Sequence, residues 1–437
     1  MSTQTAAIRD PKSAEASDFH AAFIVAWAFC LLFYFMEYAV RSAPSVMLPE
    51  LTDAFGLSTA GLSSLIGLYY YTYAIFAVIA GASVDRWGGK YTVPFGVLLL
   101  AVGTAMFAMG GEWSAAVGRL LQGAGAAYAF VAAVYLAARG LPARYLATAI
   151  GITQCIGMLG GSAGQFVTAP LIHGAIAWQD LWIYAGVVTL LIAVAMYFAT
   201  PREQQSAAPQ SAASQAGFWS AFAPYKIVLT NRQSYLCGLI GGLLFLPTTV
   251  GAMTWGVSFL EHAWHVDYTQ AVDRAATVAM GWVFGCPILG YITDRIGRRK
   301  PVVFAGSALM LLATLAIYYL PPGTFPPYVL AFLLGFGSGA AMIPYSTIKE
   351  VNPDHAKGSA TGAMNFMVFV LSALLAPAYG WWLQKLANGG PLTQDAFSEA
   401  GSVYVAAIVL ALIMTIFLRE TGSARGKANQ SLQAPRA

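Results

Sequence analysis

Two ionisable residues set four apart in an apolar run, Glu37 and Arg41, are the side chains of this sequence best suited to chemistry. A spacing of four puts both on one helix face, where they can pair. An arginine stays charged and its planar fork grips carboxylate or phosphate at two points. The acid beside it either neutralises the arginine permanently or takes up a proton and frees it for a ligand. Ionisable groups inside a membrane span are costly and mark function by default. A second such group is Arg119, with the polar Gln122 one helical turn further in. Arg119 suits either proton coupling or a helix-to-helix hydrogen bond. Arg41 suits either an anion or a position near the outer interface, where it would reach water along its own stem.

The elements that must position these residues follow from composition. The chain has 437 residues, 58% hydrophobic and 10% charged, with a formal net charge of +4. A soluble domain carries roughly 25% charged residues, so lipid is the expected solvent. A spanning helix needs about 20 apolar residues. Twelve runs qualify: 21–43, 60–82, 91–110, 114–138, 145–171, 179–199, 233–259, 270–293, 301–320, 326–349, 358–385 and 400–418. The fold class is therefore an all-α membrane protein of twelve spanning helices in two six-helix halves, 21–199 and 233–418. Residues 1–20 lack the apolar core of a signal peptide and read as a tail, as do 419–437. Residues 200–232 are rich in Ser, Ala, Gln and Pro and read as a tether between the halves.

A charged turn recurs at half-length. Gly81-Ala-Ser-Val-Asp85-Arg86-Trp-Gly88-Gly89-Lys90 has its echo in Gly290-Tyr-Ile-Thr-Asp294-Arg295-Ile-Gly297-Arg298-Arg299-Lys300. Such a repeat marks a duplicated membrane unit. With the N-terminus inside, 19 of the 23 Lys and Arg residues fall on the cytoplasmic side, both turns included. That asymmetry sets the orientation. Gly81 and Gly290 are expected to let neighbouring helices approach closely. Arg86, Lys90, Arg295 and Arg298 are expected to pair with acids across the cytoplasmic face, as a latch that forms in one state and breaks in another.

These residues carry a family resemblance. Two copies of the G-x-x-x-D-R-x-G turn, twelve helices and a central polar linker resemble the major facilitator superfamily of secondary transporters, over about residues 20–420. Gly118-Arg119-Leu-Leu-Gln122-Gly123-Ala-Gly125 resembles a second motif of that family, whose arginine is tied to proton coupling or anion attraction. Gly157-Met-Leu-Gly160-Gly161-Ser-Ala-Gly164 matches the fifth-helix motif only in part, because the proline after its first glycine is missing. The stretch Tyr38–Pro49 resembles the first helix of the organophosphate–phosphate antiporters and organic-anion symporters. There an arginine at the place of Arg41 faces the cavity and binds the anionic group. The phosphate-ester antiporters carry a matching arginine in the seventh helix, whereas Leu239–Trp255 here holds no basic residue. A single carboxylate or a zwitterion fits better than an organophosphate.

Other candidates for a cavity lining are polar or aromatic residues in mid-span. They are Tyr34, Tyr38, Tyr69, Tyr73, Gln154, Trp255, Trp282, Tyr345 and Asn365, beside Gln122. A buried tyrosine needs a partner for its hydroxyl. No soluble catalytic constellation and no phosphate-binding glycine loop is visible, so neither an enzyme nor direct ATP drive is expected. Cys30, Cys155, Cys237 and Cys286 lie apart in apolar runs, and His262 and His265 read as solvated loop residues, so no metal or cofactor is expected. The expected partners are a small-molecule substrate, protons and the lipid bilayer, with no nucleic acid, in a monomer of a bacterial inner membrane with both termini cytoplasmic. The competing functions are a non-transporting membrane sensor on the same scaffold and an exchanger of phosphate esters.

Overall fold

The computed structural model describes residues 20–141, 146–174, 176–202, 222–353, 356–388 and 390–422. Among them twelve helices are long and apolar enough to cross a membrane. In chain order the spans are Ala21–Val46, Ala60–Val84, Gly89–Phe107, Glu112–Ala137, Ala149–Ile172, Trp178–Ala199, Arg232–Trp264, Tyr268–Ile296, Lys300–Tyr319, Tyr328–Glu350, Ser359–Leu386 and Gln394–Phe417. They are called the first to the twelfth span below. The chain is an all-helical membrane protein, as its composition implies.

The starts and stops are local. Ser58, Asn231, Asp267 and Thr393 cap the helices that carry the second, seventh, eighth and twelfth spans, each accepting a backbone N–H of the first turn. Each repeated turn ends its span, the second or the eighth, on a glycine at positive φ. Gly88 and Gly297 stand at φ 75° and 65°, a region that favours glycine. Inside the spans, hydroxyls bond their own helix: Thr104, Thr314, Thr347 and Thr415 donate to the carbonyl four residues back. That satisfies them without water. The large exposed side chains are apolar, as at Leu191, Phe198, Leu312 and Phe417. The polar residues Glu37, Arg41, Arg119 and Gln122 are buried. This inside-out pattern fits lipid on the outer surface.

Two spans are irregular well inside their length. The seventh passes through a π-helical stretch from Pro247 to Trp255, where proline removes a helix hydrogen bond. The tenth breaks into a 3-10 turn, Gly339–Met342, between two α-helices. The long contacts between early and late spans run along two seams. The second span packs against the eleventh, with Ser63 Oγ donating to the Ala376 carbonyl at 3.0 Å. The fifth packs against the eighth, with Ser162 Oγ donating to the Ala276 carbonyl at 3.0 Å. Part of the segment read as a tether is ordered. Ala223–Thr230 is a helix that buries Tyr225 and Val228. The tails and residues 203–221 lie outside the described residues.

Candidate functional site

Arg41 sits five residues before the end of the first span, yet it is 2% exposed. It does not reach along its stem to water at an interface. Its guanidinium meets the Glu37 carboxylate in an ion pair, and its Nε donates to the Tyr69 hydroxyl at 3.2 Å. Tyr69 in turn donates to the same Glu37 oxygen. Rings close the remaining sides. Tyr38 lies 4.3 Å and Tyr73 5.1 Å from the guanidinium carbon, and Phe369 of the eleventh span lies 4.9 Å away. A cation over ring faces is attracted to them. Two atoms of this cluster have no protein partner, Arg41 Nη1 and Glu37 Oε2. An unpaired buried polar atom costs about 1–3 kcal/mol, so the cluster is primed for one more partner at each group.

Beside these rings is a narrow central cleft between the early and late spans. The early spans contribute Tyr34, Tyr38, Tyr73, Phe130 and Gln154. The late spans contribute Phe245, Met342, Tyr345, Asn365 and Phe369. The polar groups are chained together: Tyr34 donates to Gln154 Oε1 at 3.1 Å, and Gln154 Nε2 donates to the Tyr38 hydroxyl at 3.4 Å. Tyr345 donates to Asn365 Oδ1 at 2.6 Å. Tyr34 and Tyr38 fit because the fifth span offers Gly157, where a Cβ would stand 2.5 Å from the ring of Tyr34.

A larger space opens at the end of the bundle opposite the repeated turns. Ser45, Asp53, Trp255, Glu261, His262 and Tyr268 are among its walls. Ser45 is one turn outward from Arg41 and Tyr38 is about one turn inward, so Arg41 lies between the two spaces along the first span, buried and lining neither.

Several expected lining residues lie elsewhere. Trp255 belongs to the vestibule, with its Nε1 unpaired. Trp282 stands behind Phe245, at 4.7 Å between ring centroids, and donates to Thr248 Oγ1 at 2.8 Å. Gln122 accepts from Arg119 at 2.8 Å and donates to the Gly103 carbonyl at 3.2 Å, tying the fourth span to the third. Arg119 also donates to the carbonyls of Val40 at 3.5 Å and Ile66 at 3.2 Å. It stitches three spans together, and its guanidinium carbon lies 4.8 Å from the Tyr69 ring. Its contacts match the packing alternative, with no acid among them.

The turn end differs from expectation in several places. Lys90 donates to the Tyr197 carbonyl at 2.5 Å and Arg295 donates to the Tyr291 hydroxyl at 3.0 Å, and neither is paired with an acid among the described residues. Arg298 is exposed, and Gly297 ends its helix. The ion pairs are made by Arg299, with Asp294 at 2.6 Å and Glu350 at 2.7 Å. Burial disfavours its charge, but bonds to Glu350 and Asp294 outweigh that and raise its pKa further. Glu420 adds bonds to the backbone N–H of Arg299 and Lys300. All of these residues follow the linker, so these bonds join late elements to one another. A Cβ on Gly290 would meet nothing within 4 Å, so that glycine serves no close approach. A Cβ on Gly81 would meet the Tyr225 hydroxyl at 3.2 Å, and one on Gly362 would collide with it. Tyr225 donates to the Val78 carbonyl at 3.3 Å. The linker helix, and not a neighbouring span, fills the gap between the second and eleventh spans. The side chains of Asp85 and Arg86 lie outside the described residues.

The sequence matches the profile of the Major Facilitator Superfamily over residues 30–377. The chain belongs to that superfamily. It is 25% identical to the cis,cis-muconate transport protein of Acinetobacter baylyi over 412 residues, 90% of this chain and 95% of that one. It is 25% identical to the probable sulfoacetate transporter SauU of Cupriavidus necator over 306 residues, 68% of this chain and 71% of that protein. The proline/betaine transporter of Salmonella typhimurium is 28% identical over 207 residues, 46% of this chain and 39% of that one. Among solved structures, a bacterial homolog of the human lysosomal transporter Spinster, in an inward-facing and unoccupied conformation, superposes with a TM-score of 0.67. It shares 17% identity and covers 91% of this chain and 96% of its own. A D-xylose-proton symporter superposes with a TM-score of 0.67 at 16% identity, covering 91% and 98%. These structures establish the fold, and the superfamily makes the protein a transporter and not an enzyme.

Within the superfamily fold, three residues that matter were missed by sequence reasoning. Phe369 is one apolar residue among many in an apolar span, and no pattern distinguishes it. Arg299 is one of three consecutive basic residues, and only its neighbours single it out. Tyr225 carried a signal: it belongs to an aromatic and apolar stretch, Phe218 to Leu229, at the end of a linker otherwise rich in Ser, Ala and Gln.

Proposed function

We propose that this superfamily member is a secondary transporter that moves a small carboxylate-bearing organic anion by alternating access, coupled to protons. The observation that carries the reading is the buried Glu37–Arg41 pair, in which each partner keeps one atom unpaired. With the site empty, Glu37 neutralises Arg41. When Glu37 takes a proton, Arg41 loses its counter-charge and turns to the substrate carboxylate. One proton and one monoanion then cross together, and the loaded site has the same net charge as the empty one. Electrical balance of this kind keeps a buried site affordable in lipid. Tyr69 and Tyr38 would hold the guanidinium while the exchange occurs, and Tyr34, Gln154, Tyr73, Tyr345 and Asn365 would line the bound substrate.

The relatives named for muconate and sulfoacetate handle organic anions, which supports the reading. The relative named for proline and betaine keeps zwitterions within the class. The two halves, residues 21–199 and 233–418, would rock about the central cavity. The repeated turns and both termini would face the cytoplasm of a bacterial inner membrane, as the Lys and Arg asymmetry directs, and the unit would be a monomer.

The test is uptake into proteoliposomes of benzoate, aliphatic monocarboxylates, sugar acids, amino acids and phosphate esters, with and without a pH gradient. Arg41→Ala should abolish carboxylate uptake. Glu37→Gln should abolish the response to the gradient while leaving substrate exchange. Undiminished uptake by Arg41→Ala would sink the site. Binding without counterflow by the wild-type protein would point to a sensor instead.

A further inference from the structure

Asn365 is 2% exposed and lines the central cavity. Its Oδ1 accepts the Tyr345 hydroxyl at 2.6 Å. Its Nδ2 is buried with no partner. Arg41 Nη1, in the first span, is in the same condition. Two donors, one charged and one neutral, are thus left unpaired on spans from opposite ends of the sequence. Between them stand rings: Phe369 lies 4.9 Å from the guanidinium carbon of Arg41 and 4.1 Å from Tyr73, centroid to centroid. Asn365 is one turn before Phe369 on the same continuous helix. At 1.5 Å per residue it lies about 6 Å further along the axis, away from the vestibule.

From this geometry we infer that Asn365 is a specificity-determining residue: it reads a hydrogen-bond acceptor at the far end of the substrate, with Arg41 holding the carboxylate. The inference rests on the carboxylate reading of Arg41. It narrows the substrate class to a short carboxylate with an unsaturated or aromatic body and a second acceptor. A body walled by Tyr38, Tyr73, Phe130, Phe245 and Phe369 meets ring faces, which suit a flat π-system. A flat ring with its carboxylate and acceptor at opposite corners would offer one group to each donor. A neutral amide donor suits a carbonyl, hydroxyl or ether oxygen, because it brings no charge to offset a second full anion. Tyr345 is a positioning residue, since it occupies the amide oxygen and so directs the nitrogen inward.

The test uses two probes of one shape, 4-formylbenzoate and 4-vinylbenzoate. They differ in an oxygen acceptor against a CH₂. Binding to the purified full-length protein is measured by thermal shift and isothermal titration, and uptake by chromatography of proteoliposome contents. The wild type should prefer the formyl compound by roughly tenfold, the usual worth of one hydrogen bond. Asn365→Leu should bring the ratio to about one by lowering formyl affinity while leaving vinyl affinity within about twofold. Tyr345→Phe should narrow the ratio part-way. Equal binding of the two probes by the wild type, which needs no variant, would overturn the inference. So would a preference that survives in Asn365→Leu. Both outcomes leave the carboxylate reading standing. Binding of neither probe, or binding unaffected by Arg41→Ala, would overturn that reading and the inference with it.

Discussion

The ring of Phe369 lies 4.9 Å from the guanidinium carbon of Arg41, so a side chain of the eleventh span covers the cation of the first. Any motion that separates these spans must uncover it. Phe369→Leu keeps most of the volume but loses the ring face, worth about 0.5–2 kcal/mol to a cation. Modification of Arg41 by phenylglyoxal, followed by mass spectrometry, should quicken by roughly twofold to thirtyfold in that variant. An unchanged rate would mean that the ring is not the cover.

Arg41 bonds Glu37 and Tyr69 at once, and a lysine cannot hold both with one point charge. Arg41→Lys should therefore keep the protein folded yet raise the KM for carboxylate uptake by about tenfold or more. Near-normal KM in Arg41→Lys would show that charge alone suffices and that the fork geometry is idle.

Arg119 is a stitch. Its bonds to Val40, Ile66 and Gln122 join the first, second and fourth spans. Arg119→Leu should destabilise the protein by about 2 kcal/mol or more, because charged hydrogen bonds in a buried site are lost. Thermal unfolding in detergent reads the loss. The pH dependence of residual uptake should keep its wild-type shape. A displaced pH profile with normal stability would instead assign Arg119 to proton transfer.

Tyr225 stands between Gly81 and Gly362 and closes the turn end. Gly362→Ala places a methyl against the Tyr225 hydroxyl and should push the linker helix out. Labelling of a cysteine at Val78 should then rise several-fold from the turn end. Adding Tyr225→Phe removes the colliding oxygen and should bring the labelling back toward the parent level. If the second substitution makes no difference, the two residues are not coupled.

Arg299 bonds Asp294 and Glu350, but Asp294 is largely exposed. Solvent screens such pairs to about 0–1 kcal/mol each. Arg299→Ala should cost only about 1 kcal/mol in unfolding and leave the balance between conformations unchanged. Spin-label distances across the second and eleventh spans check this. A shift in those distances would restore the latch that the repeated turns suggest.

The sequence by itself determined the solvent, the twelve spans and the family, because each is written in local terms. A run of about 20 apolar residues crosses a bilayer wherever it is packed. A glycine at positive φ ends a helix whatever lies beyond, which is why Gly88 and Gly297 repeat so visibly. The Glu37–Arg41 pairing was legible for the same reason, as a contact within one helix. The tertiary structure decided what depends on long-range contact. The depth of Arg41 could not be counted from its place near a helix end, because rings from the second and eleventh spans bury it. Gln122, Trp282 and Trp255 looked like cavity residues, but helix rotation turns each elsewhere. The role of Gly81 depended on Tyr225, 144 positions away, and that of Asp294 on Glu350. Residue type and spacing choose which side chains can do chemistry. Only the packing of distant spans chooses which of them meet, because an apolar helix presents similar faces all round and its sequence does not say which one turns inward.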